Sequence, residues 1–114
     1  MKDLQDTYVI VVVTTGNKQE AENIAQQLLM ERLIACANIT GPVYSLFHWL
    51  GKIEKADEYM IFMKSRMDLF DKLAETVKAL HSYDVPEILV LPIIEGSKPY
   101  LNWLDRCLAE QKKS

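Results

Sequence analysis

The 114-residue chain predicts an α+β fold: a ferredoxin-like β-α-β-β-α-β sandwich with a long β-hairpin and an extra C-terminal helix. Three observations predict it. Three segments carry apolar residues at helical spacing, and four others are short apolar or alternating runs suited to strands. Their order is strand, helix, two strands, helix, strand, helix. The two middle strands are long and are joined only by Leu50-Gly51-Lys52, so the stretch from Leu33 to Arg66 reads as one hairpin. In this plan two helices cover one face of an antiparallel sheet, and the other face is left to pack against something else.

Residues 1–6 are polar and expected to be loose. Tyr8–Thr14 is a continuous β-branched run, as expected of a central strand covered on both faces or nearly so. Asn17 with Glu20 three residues on resembles a capping box. Behind it Ala21, Ile24, Ala25, Leu28 and Leu29 make one stripe of a helix reaching about Glu31. After the hairpin, Leu69, Phe70, Leu73, Ala74, Val77 and Leu80 predict a helix from about Asp68 to Leu80. Pro86 pushes Val85 out of the α region and ends it. Glu87–Glu95 is a strand broken by Pro92, which implies an edge or a bulge. Pro99 opens a third helix with Tyr100, Trp103, Leu104, Cys107 and Leu108 on its stripe, and residues 111–114 are expected to fray.

The hairpin is too long for its domain. At roughly 3.3 Å per residue an unbroken arm from Leu33 to Trp49 spans about 55 Å, whereas a domain of this size has a radius of gyration of about 13–14 Å. Thr40-Gly41-Pro42 is the expected bend, since proline donates nothing to a ladder and glycine tolerates a bulge. Val43, Ser45, Phe47 and Trp49 fall on one face of the arm, with Tyr44, Leu46 and His48 on the other. Apolar residues at the tip (Leu46, Phe47, Trp49, Ile53) need cover that a two-stranded ribbon lacks. A neighbouring subunit is the expected cover.

Composition predicts a single domain, 1–114, with a core that needs no staple; 49% of residues are hydrophobic and 25% charged. No apolar run approaches the roughly 20 residues of a membrane span, and the N-terminus lacks the pattern of a signal peptide. Cys36 and Cys107 are far apart with no C-x-x-C, so neither a disulfide framework nor a zinc ribbon is indicated and a reducing cytoplasm is expected. A net charge of −3 argues against nucleic acid as a partner.

Few residues point to chemistry. Cys36, between two alanines, is either a small packing residue or a thiolate donor for a soft metal such as Cu(I) or Zn. His81 closes a helix, where structural histidines are common, and His48 lies near the hairpin tip. Glu87 and Asp84, with Glu54, Asp57 and Glu58, are able to present a cation or an acid/base pair, although charged strand edges are the commoner explanation. Lys64 and Arg66, after an apolar strand, are candidates for clamping an anion, although a surface or interface pair is the simpler expectation. Phosphate-loop, nucleophile-elbow and zinc-protease motifs are all missing, and no catalytic role is readable.

Five blocks in order, Ala35-Cys36-Ala37-Asn38-Ile39, Ser45 to Glu54, Glu58 with Met63-Lys64-Ser65, His81 to Ile88, and Tyr100 to Leu104, resemble the CutA divalent-cation tolerance family. The resemblance runs from about Tyr8 to Leu108. It implies a homotrimer of ferredoxin-like subunits whose long strands extend the sheet of a neighbour, with Phe47, Trp49, Ile53 and Trp103 at the interface. It also implies a non-enzymatic role in the response to metal ions, with copper or another divalent cation bound weakly through Cys36 and His81, helped by Glu87. The sequence departs from the family pattern at Leu80, where some members have a second histidine, at Ser82, which replaces a proline, and at Phe47, which replaces a tyrosine. The missing histidine leaves a Cys-plus-His pair, short of a closed tetrahedral site. The competing expectations are a trimeric signalling protein that binds small anions or nucleotides between subunits, and a scaffold that anchors another protein.

Overall fold

A computed structural model of the chain describes residues 4–111. Four strands, β1 (Tyr8–Thr15), β2 (Cys36–Trp49), β3 (Lys52–Arg66) and β4 (Ile88–Pro92), form one antiparallel sheet in the order β2-β3-β1-β4. Three helices complete it: α1 (Lys18–Met30), α2 (Phe70–Leu80) and α3 (Lys98–Cys107). This is the ferredoxin-like plan with the expected extra helix. Leu4–Asp6 makes a short 3-10 turn where a loose end was expected, and Asp6 accepts a hydrogen bond from Gln111. Residues 1–3 and 112–114 of the termini expected to be loose lie outside the described residues.

Side-chain alternation divides the sheet. Val9, Val11 and Val13 of β1 are buried with Ile61 and Met63 of β3, against Ile24 and Leu28 of α1 and Leu73 and Val77 of α2. The other face holds Ile10, Val12 and Thr14, with Cys36, Met60, Phe62 and Lys64 beside them by register. α3 covers one end of that face, where Tyr8 donates to Asp105 and the Cys36 sulfur meets the Tyr100 hydroxyl at 3.7 Å. The covering is partial. Leu104 and Leu108 are buried, while Tyr100 and Trp103 of the predicted stripe stay exposed.

Local chemistry sets the element ends. The Asn17 carboxamide accepts from the Glu20 N–H at 2.8 Å and caps α1. Arg32, in the left-handed region at φ 58°, closes α1, and its guanidinium donates to the Arg106 and Cys107 carbonyls at the end of α3. β4 stops at Pro92 instead of running on to Glu95, with one further bond from the Ile93 N–H to the Tyr8 carbonyl at 2.9 Å, and it is an edge strand as expected.

The hairpin bends where the sequence predicts. Thr40 pairs with Met60 and Val43 with Glu58, so Gly41 and Pro42 together oppose Tyr59 alone. Beyond the bulge the pairing continues to Trp49 opposite Lys52, closed by the two-residue turn Leu50-Gly51 with both φ values positive, 50° and 78°. The radius of gyration is 15.0 Å and the longest dimension 45 Å. Both reflect the projecting ribbon.

A side chain at Gly41 has nowhere to go: its Cβ would lie 2.6 Å from the Tyr59 ring and 2.9 Å from the Glu58 carbonyl oxygen. At Gly51 a Cβ would meet nothing within 4 Å, leaving only the cost of the left-handed backbone. Gly41→Ala is therefore predicted to destabilise by about 2–3 kcal/mol in urea denaturation, and Gly51→Ala by about 1 kcal/mol. Equal losses would contradict the crowding at the bulge.

Candidate functional site

The residues singled out for metal binding occupy two ends of the sheet. Cys36 pairs with Lys64, which pairs with Ile10. The His81 ring reaches the Thr14 carbonyl, four residues further along β1. That separation is about 13 Å along the strands alone, far beyond the span of one ion. Glu87 directly precedes Ile88, whose partner is Val13, so it stands at the His81 end. Within one chain the structure does not bring Cys36 together with His81. Among the described residues no three His, Cys, Asp or Glu side chains are grouped to hold a metal.

His81 is buried and fully engaged. The Tyr83 N–H donates to Nδ1 at 3.0 Å, which makes that nitrogen an acceptor, and Nε2–H then donates to the Thr14 carbonyl at 2.7 Å. The ring fastens the loop after α2 to the end of β1. Glu20 on α1 fastens it again, its carboxylate accepting from the Ser82 N–H at 2.8 Å. Burial alone would raise the Glu20 carboxyl, but the hydrogen bonds from Ser82 and Gly16 outweigh it and hold the group below its ordinary range. Tyr83 makes a third tie, its hydroxyl donating to Glu58 Oε2 at 2.9 Å.

This fastened loop forms one wall of a cleft of about 750 Å³ whose other wall is the hairpin. Phe47, Trp49, Glu54 and Glu58 line the hairpin side, and Tyr83, Asp84, Val85 and Glu87 the loop side. Of the carboxylates grouped from sequence, the fold gathers four here and leaves Asp57 out. The Tyr83–Glu58 pair was not legible as a pair. Its signal was Glu58 itself, an acidic residue on the Met60 and Phe62 face of β3.

The other candidates resolve differently. Arg66 is buried, and its guanidinium is committed to Asp68, Asp105 and the Ala109 carbonyl. It serves as a buried ion pair within the chain, neither an anion clamp nor the surface or interface pair expected. Lys64 donates to Asn38. Hydrogen bonding to Cys36, then burial, pushes the Tyr100 phenol above its ordinary value. Trp103 stacks obliquely on Tyr100 with ring centres 5.4 Å apart. Phe47, Trp49 and Ile53 are open in the single chain, as is His48.

Comparison with known proteins decides the kinship. The family model for the CutA1 divalent ion tolerance protein matches residues 9–107. The chain belongs to the CutA1 family. It is 43% identical over 95 residues to the divalent-cation tolerance protein CutA of Thermus thermophilus, covering 83% of this chain and 92% of that one. The chloroplastic CutA of Arabidopsis thaliana is 40% identical over 96 residues, 84% of this chain and 53% of that longer protein. Among solved structures, CutA1 from Oryza sativa superposes with a TM-score of 0.90 at 38% identity, covering 96% of this chain and all of that one. The periplasmic divalent cation tolerance protein CutA of Archaeoglobus fulgidus gives 0.85 at 41% identity, over 88% of this chain and 97% of that chain. Among the described residues no helix is long and apolar enough to cross a membrane.

Burial, followed by the hydrogen bond to Glu58 and the nearby charges of Glu58 and Glu20, pushes Tyr83 up from 10.0 to about 12. Its folded value thus lies above the unfolded one. The stability it contributes is complete below the unfolded value and is lost as pH rises through about 12. NMR of ring-labelled tyrosine is predicted to show Tyr83 as a late-titrating ring and to show it falling back toward 10 in Glu58→Gln. An unchanged titration in the variant would remove Glu58 as a cause.

Proposed function

We propose that the chain is a non-enzymatic, cytoplasmic homotrimer that takes part in tolerance of divalent cations and binds copper or another divalent ion weakly. The observation that carries the tolerance role is the CutA1 kinship across residues 9–107. Both cysteines are unpaired, which fits a reducing compartment. Cys36 is the donor on which this metal reading depends, because a site using His81 would require the ring to give up Thr14 or Tyr83. Glu87, exposed on the cleft, stays a helper whose place relative to Cys36 depends on assembly.

Assembly rests on uncovered apolar surface at two separated places. At the hairpin tip Trp49 is 55%, Ile53 67% and Leu50 86% exposed. Leu50 also occupies a left-handed turn position that favours asparagine or glycine. An exposed leucine in a strained position has no intrachain benefit, and burial against a partner would supply one. At the other place Leu89 and Leu91 stand exposed on the free edge strand β4, with Trp103 on α3. Unlike patches suit a head-to-tail contact that closes into a ring, and an edge strand suits strand addition by a neighbour. The anion-binding alternative draws no support, since Arg66 is already spent, Lys64 donates to Asn38, and carboxylates outnumber cations on the cleft wall.

Calorimetric titration with Cu(I), Cu(II) and Zn(II) is expected to give weak binding that Cys36→Ala abolishes; unchanged heats in the variant would overturn the assignment. Trp49→Asp is expected to lower the assembled mass in size-exclusion chromatography with light scattering, by placing a charge where an apolar contact closes. A variant that keeps the wild-type mass would remove Trp49 from the interface.

A further inference from the structure

Kinship with the CutA1 family carries the expectation of a metal ligand at His81, and the geometry of this chain disagrees with it. A histidine ligates a metal through a neutral ring nitrogen with a free lone pair. His81 has one such lone pair, on Nδ1, and the Tyr83 N–H occupies it at 3.0 Å. Nε2 carries the hydrogen that goes to the Thr14 carbonyl at 2.7 Å. The side chain is buried, and the Tyr83 ring stands against it with centres 4.7 Å apart. Turning the imidazole to present either nitrogen breaks both bonds. Assembly does not change this, because a donor brought by another copy of the chain frees neither nitrogen.

The neighbours of His81 complete a different device. His81 ends α2 in the extended conformation, at φ −82° and ψ 141°, which is the conformation required before a proline. The family pattern has a proline next; here Ser82 supplies an N–H instead, and Glu20 of α1 accepts it at 2.8 Å. A proline makes no such bond. Leu80, where some members have a second histidine, offers no donor atom at all. The two departures act in one direction. One removes an imidazole and the other adds a tie.

We infer that the block from Leu80 to Tyr83 is in this chain a clasp and not a metal centre, His81 holding the loop to β1 and Ser82 holding it to α1. A metal bound through Cys36 takes no ligand from this block. The inference rests on the Cys36 reading only for where a metal binds; the clasp stands without it.

Two readouts on the intact protein test it. In calorimetric titration with Cu(II) and Zn(II), His81→Asn, His81→Gln and Ser82→Pro are expected to keep the wild-type affinity, whereas Cys36→Ala loses it. In hydrogen exchange followed by NMR, the Tyr83 amide is expected to exchange about tenfold faster in His81→Gln, which keeps an N–H near the place of Nε2 but has no acceptor at Nδ1. His81→Asn, whose carboxamide oxygen stands near the place of Nδ1, is expected to restore most of that protection. Ser82→Pro is expected to speed the same amide by about tenfold, since two ties hold one loop. Ser82 is exposed, so its variant keeps the test decisive if the His81 variants fail to fold. A His81 variant that loses affinity as Cys36→Ala does, or a Tyr83 amide that keeps its wild-type rate in His81→Gln and in Ser82→Pro, would overturn the inference. No heat from the wild type, or unchanged affinity in Cys36→Ala, would overturn the metal reading alone, and the amide rates would still decide the clasp.

Discussion

Everything in this structure follows from the pairing of β2 with β3 well beyond the body of the domain. Inside the body the two strands share a core with both helices, where Ile61 and Met63 are fully buried. Past the bulge at Gly41-Pro42 the same ladder continues with no helix over it, and the side chains turn from buried to exposed. The two arms stay paired to the tip, from Val43 opposite Glu58 to Trp49 opposite Lys52, so pairing between them is not what the tip lacks. It lacks apolar neighbours. A ribbon carrying Leu46, Trp49 and Ile53 in water forgoes burial worth about 2 kcal/mol for each large apolar side chain.

The ribbon also makes the cleft. Its inner residues supply one wall, and the loop from His81 to Glu87 supplies the other. That loop has no regular secondary structure, yet it is held by contacts to three elements: β1 through His81, α1 through Glu20, and β3 through Tyr83. A cavity wall fixed at three points is preorganised, which lowers the ordering cost that any ligand must overcome. His81 is thereby a positioning residue for the cleft. Its two nitrogens are used by the fold, whereas a metal ligand needs a free lone pair.

Much of the fold was legible because local signals agreed with one another. The valine run of β1, the Asn17 cap, the stripe of α2 and the bend at Gly41-Pro42 all point to the architecture found. Less was legible where a residue depends on distant partners. The stripe of α3 predicts one buried face, but while Leu104 and Leu108 are buried and Cys107 half-buried, Tyr100 and Trp103 stay exposed, because α3 lies over an end of the sheet and not across its middle. Arg66 reads as a surface or interface pair, or as an anion clamp, until Asp105, 39 residues away, is seen beside it within the same chain. The chemistry of His81 was out of reach for the same reason: its partner Thr14 is 67 residues earlier in the chain. The separation of Cys36 from His81 is a matter of strand register, which no local pattern reports.

The account depends on copies of this chain sheltering the surface that one copy leaves open. Sedimentation equilibrium of the intact protein at micromolar concentration tests this most directly. The proposed assembly predicts a single species with three times the mass of one chain. A stable, fully folded species with the mass of one chain would contradict it.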